Sequence, residues 1–371
     1  MMVLVLSSVA AHPNWKTALS VHSTNRGWAL HRQVAAVGAL LLALAIAGCS
    51  RQGSPTGAET SGHEGATLRV ALVAKSLGNG FFNAVDKGGE EAARELGRVQ
   101  VIDAGPASPT AEGQIDVLNA LIAQHVDAIA VSANDPDALV PTLKKALSRG
   151  IKVISFDSAV ASGGRLVHLA ASSDELIGQT CLQLAAAAAP AGHAQIAILS
   201  ATPTSTNQNA WIAAMKVALP QYPQLELVAT VYGDDLADKS YREAVALVKR
   251  YPDLKVIIAP TSVGIVAAAK ALEDEGVAGK VLVTGLGLPS ELAGHVAAGS
   301  VKSFAIWNPL DLGYAAVQLA TRIARGTPAG PGATIAIGRL GEVHFDSNGI
   351  APMGKPFVYD QSNIVEFAKV F

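Results

Sequence analysis

Several short segments of this 371-residue chain combine amides, hydroxyls, single charges and aromatic rings. One reads Lys75-Ser76-Leu77-Gly78-Asn79-Gly80-Phe81-Phe82. Others are Ser132-Ala133-Asn134-Asp135-Pro136-Asp137, Asp157-Ser158, the stretch Ser200 to Gln208 (SATPTSTNQ) followed by Trp211, Pro260-Thr261-Ser262, Gly285-Leu286-Gly287-Leu288-Pro289 and Trp307-Asn308-Pro309. Such a set suits noncovalent recognition of a polyhydroxylated, uncharged molecule. The apolar faces of a sugar ring pack on aromatic rings, while its hydroxyls need the donors and acceptors that Lys, Asp, Asn and Gln supply. Buried amides of this kind reject a ligand that lacks the matching hydroxyl.

The chemistry of bond making is not signalled. The histidines after Cys49 (His63, His125, His168, His193, His295 and His344) show no HExxH or other paired spacing, so no metal site is expected. Neither a GxSxG elbow nor a phosphate-binding P-loop is present. Gly285-Leu286-Gly287 is half of a dinucleotide fingerprint and reads as a turn, and His344-Phe345-Asp346-Ser347-Asn348-Gly349 lacks the remaining ligands of a calcium loop. No enzyme activity and no cofactor are therefore expected. Charge is nearly balanced, 28 Lys+Arg against 30 Asp+Glu, with no basic block, so nucleic acid is not an expected partner. Two cysteines cannot form a disulfide framework, and Cys181, in an Ala/Leu helical run, reads as a small core residue.

The elements that must position these residues alternate regularly. Short apolar runs predict strands at 68–74, 99–103, 128–132, 153–156, 166–169, 194–199, 225–231, 256–259, 281–284 and 303–306. Helical periodicity predicts helices at 82–96, 112–124, 136–148, 173–188, 207–219, 239–250, 263–275 and 310–325. Continuous apolar strands joined by helical crossovers mean an α/β protein with parallel sheets covered on both faces, and this many strands divide into two lobes. Ligands of open α/β sheets bind beyond the carboxyl ends of the strands, where these segments fall. Asn134, Asp135, Asp137 and Ser173 read as helix caps. Lys75 and Asp157 end their strands directly and have no such local use, which marks them as binding residues.

The first 49 residues contain Lys16, Arg26 and Arg32 but no acidic residue, and 34–46 is an unbroken apolar run. About 13 residues is short of the roughly 20 that span a bilayer and fits a secretory signal. The run ends in Ile46-Ala47-Gly48-Cys49, which resembles a bacterial lipobox. Residues 1–49 are thus expected to be a lipoprotein signal region, with a lipid anchor on Cys49. The Gly/Ser/Thr-rich stretch 50–66 is expected to be a flexible tether.

Nine ordered segments from 68 to the C-terminus carry a family resemblance: KSLGNGFF, DAGPASPTAEGQ, SANDPDALVPTLKKA, GIKVISFDS, TNQNAW, YGDD, YPDLKVIIAPT, VTGLGLPSE and WNPLDLGYAA. Together they closely resemble the periplasmic rhamnose-binding lipoproteins of ABC importers, a branch of the ribose/galactose type near the autoinducer-2 receptors. The resemblance implies the two-lobed type I periplasmic binding protein fold with three hinge crossings. It divides the chain into an N-terminal lobe (67–171 and 308–345) and a C-terminal lobe (172–307 and 346–371). It places Lys75, Asn79, Phe81 and Phe82 in one site loop and Asp157 at a following strand end; Ser132 is a candidate from its own strand end. From the second half it adds Asn207, Gln208, Pro260, Ser262, Gly287 and Trp307, and the strand-end reading adds Trp211 and Asn308. Asn207 and Gln208 match a pair that reads Asp-Gln in autoinducer-2 receptors, and Pro260 and Ser262 match a Pro-x-Ala; both departures favour rhamnose. Gly287 stands where ribose binders carry Asp, and Trp307 where they carry Gln. The implied function is capture of L-rhamnose or a similar deoxyhexose by a monomer in the cell envelope, and delivery to a membrane permease. Autoinducer-2 uptake and partnership with a chemoreceptor are the alternatives. A sugar-responsive repressor would carry a helix-turn-helix where this chain has the lipobox and tether.

Overall fold

A computed structural model describes residues 66–371; the signal region, Cys49 and all but the last residue of the expected tether lie outside them. The first sheet grows from strands whose side chains are apolar on both faces. β1 (Leu68–Val73), β2 (Val99–Ala104), β3 (Ala128–Val131), β4 (Lys152–Phe156) and β5 (His168–Ala170) are joined through α1 (Gly80–Leu96), α2 (Ala111–Ala123) and α3 (Val140–Ser148). After α4 (Asp174–Ala188) the second sheet follows: β6 (Ala194–Ser200), α5 (Thr206–Ala218), β7 (Leu225–Tyr232), α6 (Ala237–Arg250), β8 (Leu254–Ala259), α7 (Ser262–Asp274), β9 (Leu282–Gly285), α8 (Pro289–Ala298) and β10 (Ser303–Ile306). The chain then returns through α9 (Pro309–Ala324), β11 (Thr334–Ala336), β12 (Glu342–His344), β13 (Ile350–Pro352), β14 (Phe357–Asp360) and α10 (Ile364–Phe367).

The strand orders are β13-β5-β4-β3-β1-β2 in one sheet and β7-β6-β8-β9 in the other, with every pair within each parallel. Bridges Val283–Val301 and Leu286–Ala305 extend the second sheet to β10, which pairs antiparallel with β14. Residues such as Val73, Ile129, Leu118 and Leu143 fill the core between the first sheet and α2 and α3. The opposite face packs on α1 and α9. This is the expected α/β fold with two parallel sheets flanked by helices. Among the described residues, no helix is long and apolar enough to cross a membrane.

Three differences from expectation have local causes. α3 starts at Val140, not 136, because Asp135 Oδ1 accepts from the backbone N–H groups of Asp137 (2.9 Å) and Ala138 (2.8 Å), which makes a turn first. α8, β11–β14 and α10 have no counterpart among the elements the sequence predicts. The third crossing also moves: β13 adds to the first sheet beside β5, so 350–352 belong with the N-terminal lobe. The chain re-enters the second lobe between β13 and β14, and not at 345/346.

α1 and α9 approach closely because glycines face each other's backbone. A Cβ on Gly313 would sit 1.8 Å from the Val85 carbonyl oxygen, and one on Gly88 1.9 Å from that of Leu310. Backbone cannot yield as a side-chain tip does. Gly313→Ala is therefore expected to lower unfolding free energy by about 1–3 kcal/mol through overpacking. Denaturant unfolding of the variant checks this, and an unchanged midpoint would contradict so close a crossing.

Candidate functional site

The carboxyl ends of both sheets open onto one cavity. Lys75, Asn79, Phe81, Phe82 and Asp157 line it from the first sheet's side. Asn207, Gln208, Trp211, Asp235, Pro260, Thr261, Ser262, Leu286, Ile306 and Trp307 line it from the second.

Local structure explains how these side chains are aimed. Lys75 leaves β1 on a loop held from beneath by Gln114 and Asn134. The fully buried Gln114 donates Nε2 to the carbonyls of Ala74 (2.9 Å) and Ser132 (2.7 Å), and its Oε1 accepts from Asn134 N (2.8 Å). Asn134 Nδ2 donates to the Lys75 carbonyl at 2.8 Å, so this residue braces the site loop instead of capping a helix. Ser173, by contrast, does cap α4, accepting from Leu176 N at 3.2 Å. Asn79 caps α1 through Phe81 N (2.9 Å), turning Phe81 and Phe82 inward at the helix's first turn.

The polar groups of the two lobes meet directly. Lys75 Nζ donates to Ser205 Oγ (2.8 Å) and Asn207 Oδ1 (3.0 Å). Asn207 Nδ2 donates to Asp157 Oδ1 at 3.1 Å, and Ser132 Oγ donates to Asp157 Oδ2 at 2.8 Å. Gln208 Oε1 accepts from Ser200 Oγ (2.8 Å) and Ala201 N (2.7 Å), which leaves its amide nitrogen for the cavity. Further bridges between the lobes run from Thr204 Oγ1 to the Asn134 carbonyl (2.9 Å) and from Thr206 Oγ1 to the Ala159 carbonyl (3.1 Å).

Both carboxylates in the lining stand on backbone that L-residues rarely adopt, Asp157 at φ 54° and Asp235 at φ 53°. Backbone strain of this kind clusters where a binding group must be aimed. Burial pulls the Lys75 ammonium below its ordinary range, against the pull of Asp157 and Asp235. Burial likewise pushes the Asp157 carboxyl up, opposed by Lys75, Ser132 and Asn207. Asp235 moves up for the same reason, opposed by Thr261 and Lys75.

Aromatic rings wall the cavity edge to face. Trp307 meets Trp211 at 5.6 Å between centroids and Phe81 at 6.0 Å, and Phe81 meets Phe82 at 5.2 Å. Trp307 is buried, and its Nε1 donor has no partner among the described residues.

Three expected site residues fall outside the lining. Ser132 stands one step back and orients Asp157. Gly287 is turned into the packing, where a Cβ would meet Leu292 and Ile265. Asn308 is an exposed N-cap of α9, its Oδ1 accepting from Leu310 N at 3.0 Å. Asp235, Thr261, Leu286 and Ile306 are additions. Asp235 belongs to the Tyr232-Gly233-Asp234-Asp235 segment that ends β7, a strand end whose polar residues were open to the same reasoning.

A family model described as a periplasmic binding protein domain matches residues 70–328. The chain belongs to the periplasmic binding protein family. An ABC transporter solute-binding protein from Clostridium phytofermentas, solved with bound L-rhamnose, is 36% identical with a TM-score of 0.79, covering 82% of this chain and 99% of that one. The D-ribose/D-allose-binding protein of Pseudomonas aeruginosa is 29% identical over 223 residues, 58% of this chain and 70% of that protein. LsrB from Clostridium saccharobutylicum, solved with AI-2, shares the fold at 23% identity and a TM-score of 0.77, covering 81% of this chain and 99% of that one. The cavity of this periplasmic binding protein thus lies where the family's two-lobed fold brings two sets of strand ends together.

Proposed function

We propose that this periplasmic binding protein is the solute-binding component of an ABC importer, closing its lobes on L-rhamnose or a similar deoxyhexose and presenting it to a membrane permease. The observation that carries the proposal is the chain of hydrogen bonds Ser132–Asp157–Asn207–Lys75, which crosses from one lobe to the other beside an aromatic wall. A sugar inserted there exchanges direct contacts between lobes for hydroxyl-bridged ones, so closure is favoured when a ligand satisfies both halves. The apolar lining from Phe81, Phe82, Leu286 and Ile306 suits the methyl group and ring face of a deoxyhexose. The L-rhamnose-bound relative supports that choice of sugar, and Asn207 and Ser262 are the residues at which this chain departs from the autoinducer-2 pattern. A lipid on Cys49, with the 50–66 stretch as its tether, would keep the protein in the envelope close to its permease; binding itself needs no catalytic group.

Calorimetry of the purified protein against L-rhamnose, other deoxyhexoses, D-ribose, D-allose and autoinducer-2 tests this. L-Rhamnose is expected to give the tightest binding, accompanied by a change in emission from Trp211 and Trp307. Preference for autoinducer-2 would overturn the choice of sugar, and flat traces throughout would overturn sugar capture.

A further inference from the structure

Asp235 has a feature that Asp157 lacks. Both oxygens of Asp157 are engaged, by Asn207 and Ser132. Asp235 uses Oδ1 to accept from Thr261 Oγ1, and among the described residues no donor reaches its Oδ2. The side chain lines the cavity from the second lobe, and Lys75 lines it from the first.

The loop that carries it is fixed from several directions. Asp234 and Asp235 are consecutive non-glycine residues in left-handed conformation, at φ 54° and 53°. Gly233 N donates to the Ser200 carbonyl (2.9 Å) and Asp234 N to that of Ala201 (2.8 Å), tying the loop to the end of β6. Lys239 pairs with Asp234 at 2.5 Å, and a Cβ on Gly233 would lie 2.1 Å from Ser240 Oγ. Surroundings that over-determine a strained turn hold its carboxylate in one place, as a recognition group requires.

We propose that Asp235 is a specificity-determining residue whose Oδ2 accepts one particular hydroxyl of the captured sugar from the second lobe, opposite Asp157. This rests on the sugar-capture reading. A carboxylate placed for a hydroxyl discriminates against the analogue lacking it, because the acceptor is then left without a partner. A purely structural role is the competing account: Thr261 caps α7 by accepting from Gly264 N (3.3 Å), and Asp235 braces Thr261.

The two accounts separate in a cycle of protein variant against ligand analogue, run by calorimetry on the full chain with L-rhamnose and each of its monodeoxy forms. The wild type is expected to bind one deoxy form about tenfold more weakly than the parent sugar, and Asp235→Ala to bind the parent about tenfold more weakly while no longer distinguishing that form. Asp235→Asn, which keeps an acceptor for Thr261, is expected to retain wild-type thermal stability and still lose affinity. Equal loss by Asp235→Ala for the parent and every deoxy form would assign Asp235 to bracing alone and overturn the proposal. So would wild-type affinity in that variant. Should the wild type prefer D-ribose or D-allose, the cycle is run on that sugar's deoxy forms with the same two outcomes. Wild-type silence toward all three sugars defeats sugar capture and this assignment together, whereas wild-type binding with a flat cycle defeats Asp235 alone.

Discussion

Asp157→Ala is expected to weaken sugar binding by more than about 2 kcal/mol, at least a thirtyfold rise in Kd. The side chain is buried at the end of β4, 8% exposed, so no water replaces it at small cost. Its oxygens organise a donor from each lobe, Ser132 Oγ at 2.8 Å and Asn207 Nδ2 at 3.1 Å. Truncation leaves both donors and the sugar hydroxyls beside them without an acceptor, and it removes a carboxylate whose charge opposes the lowering of the Lys75 ammonium by burial. Asp157→Asn tests the same point more sharply. Its shape is retained, but its amide offers hydrogens to a site that already supplies donors from Ser132 and Asn207. Calorimetry on both variants checks the expectation, and affinity within a factor of two of wild type would remove Asp157 from the site.

Much of this fold is legible in the sequence because parallel strands covered on both faces must be continuously apolar. The runs that became β1, β3, β4, β6 and β8 are Val/Ile/Ala-rich and bounded by polar punctuation. What escaped lacks such a signal. β11, β12 and β13 are three residues each with only the central one buried, too short for a period to show. α8 is only ten residues long and carries Gly294, a weak helix former in a helix interior. The misplaced third crossing follows from β13, since three residues of edge pairing decide which lobe the segment joins.

The site divides in the same way. Lys75 and Asp157 stand out because each ends an apolar strand with a charge that no helix start explains. Asn134 reads as a cap in the sequence because its actual use is nonlocal: it holds the Lys75 carbonyl 59 residues away. Gly287 and Asn308 adjoin the site along the chain but point elsewhere, one into the packing and one into an N-cap. Position along a strand end is readable; the direction of a side chain leaving it depends on backbone angles such as those of Asp157 and Asp235.

Lys75→Met is expected to have the larger effect, costing more than about 3 kcal/mol in binding, because removing one partner from a buried charge network leaves the others uncompensated. Lys75 is 5% exposed, and its Nζ serves Ser205 and Asn207 in the opposite lobe. Among the described residues its ammonium is the only cation in the cavity lining, which it shares with the carboxylates Asp157 and Asp235. Without it, closure brings those carboxylates into one poorly solvated site with nothing to offset them. Lys75→Arg is expected to rescue little, since a planar guanidinium cannot take the place of a compact ammonium between Ser205 and Asn207. The sign of the pH response follows from the carboxylates. Burial raises both in the folded protein, and loss of Lys75 removes a charge that opposes the rise. A raised carboxyl takes up a proton as pH falls, and that proton neutralises one of the two charges closure would otherwise confine. Residual binding by Lys75→Met is therefore expected to strengthen as pH falls from neutral toward the ordinary carboxylate range, a direction the wild type, with its ammonium in place, should not share to the same degree. Titrating Kd over that interval decides it: a variant whose affinity stays level or falls toward acid would show that the two carboxylates do not share the charge of Lys75.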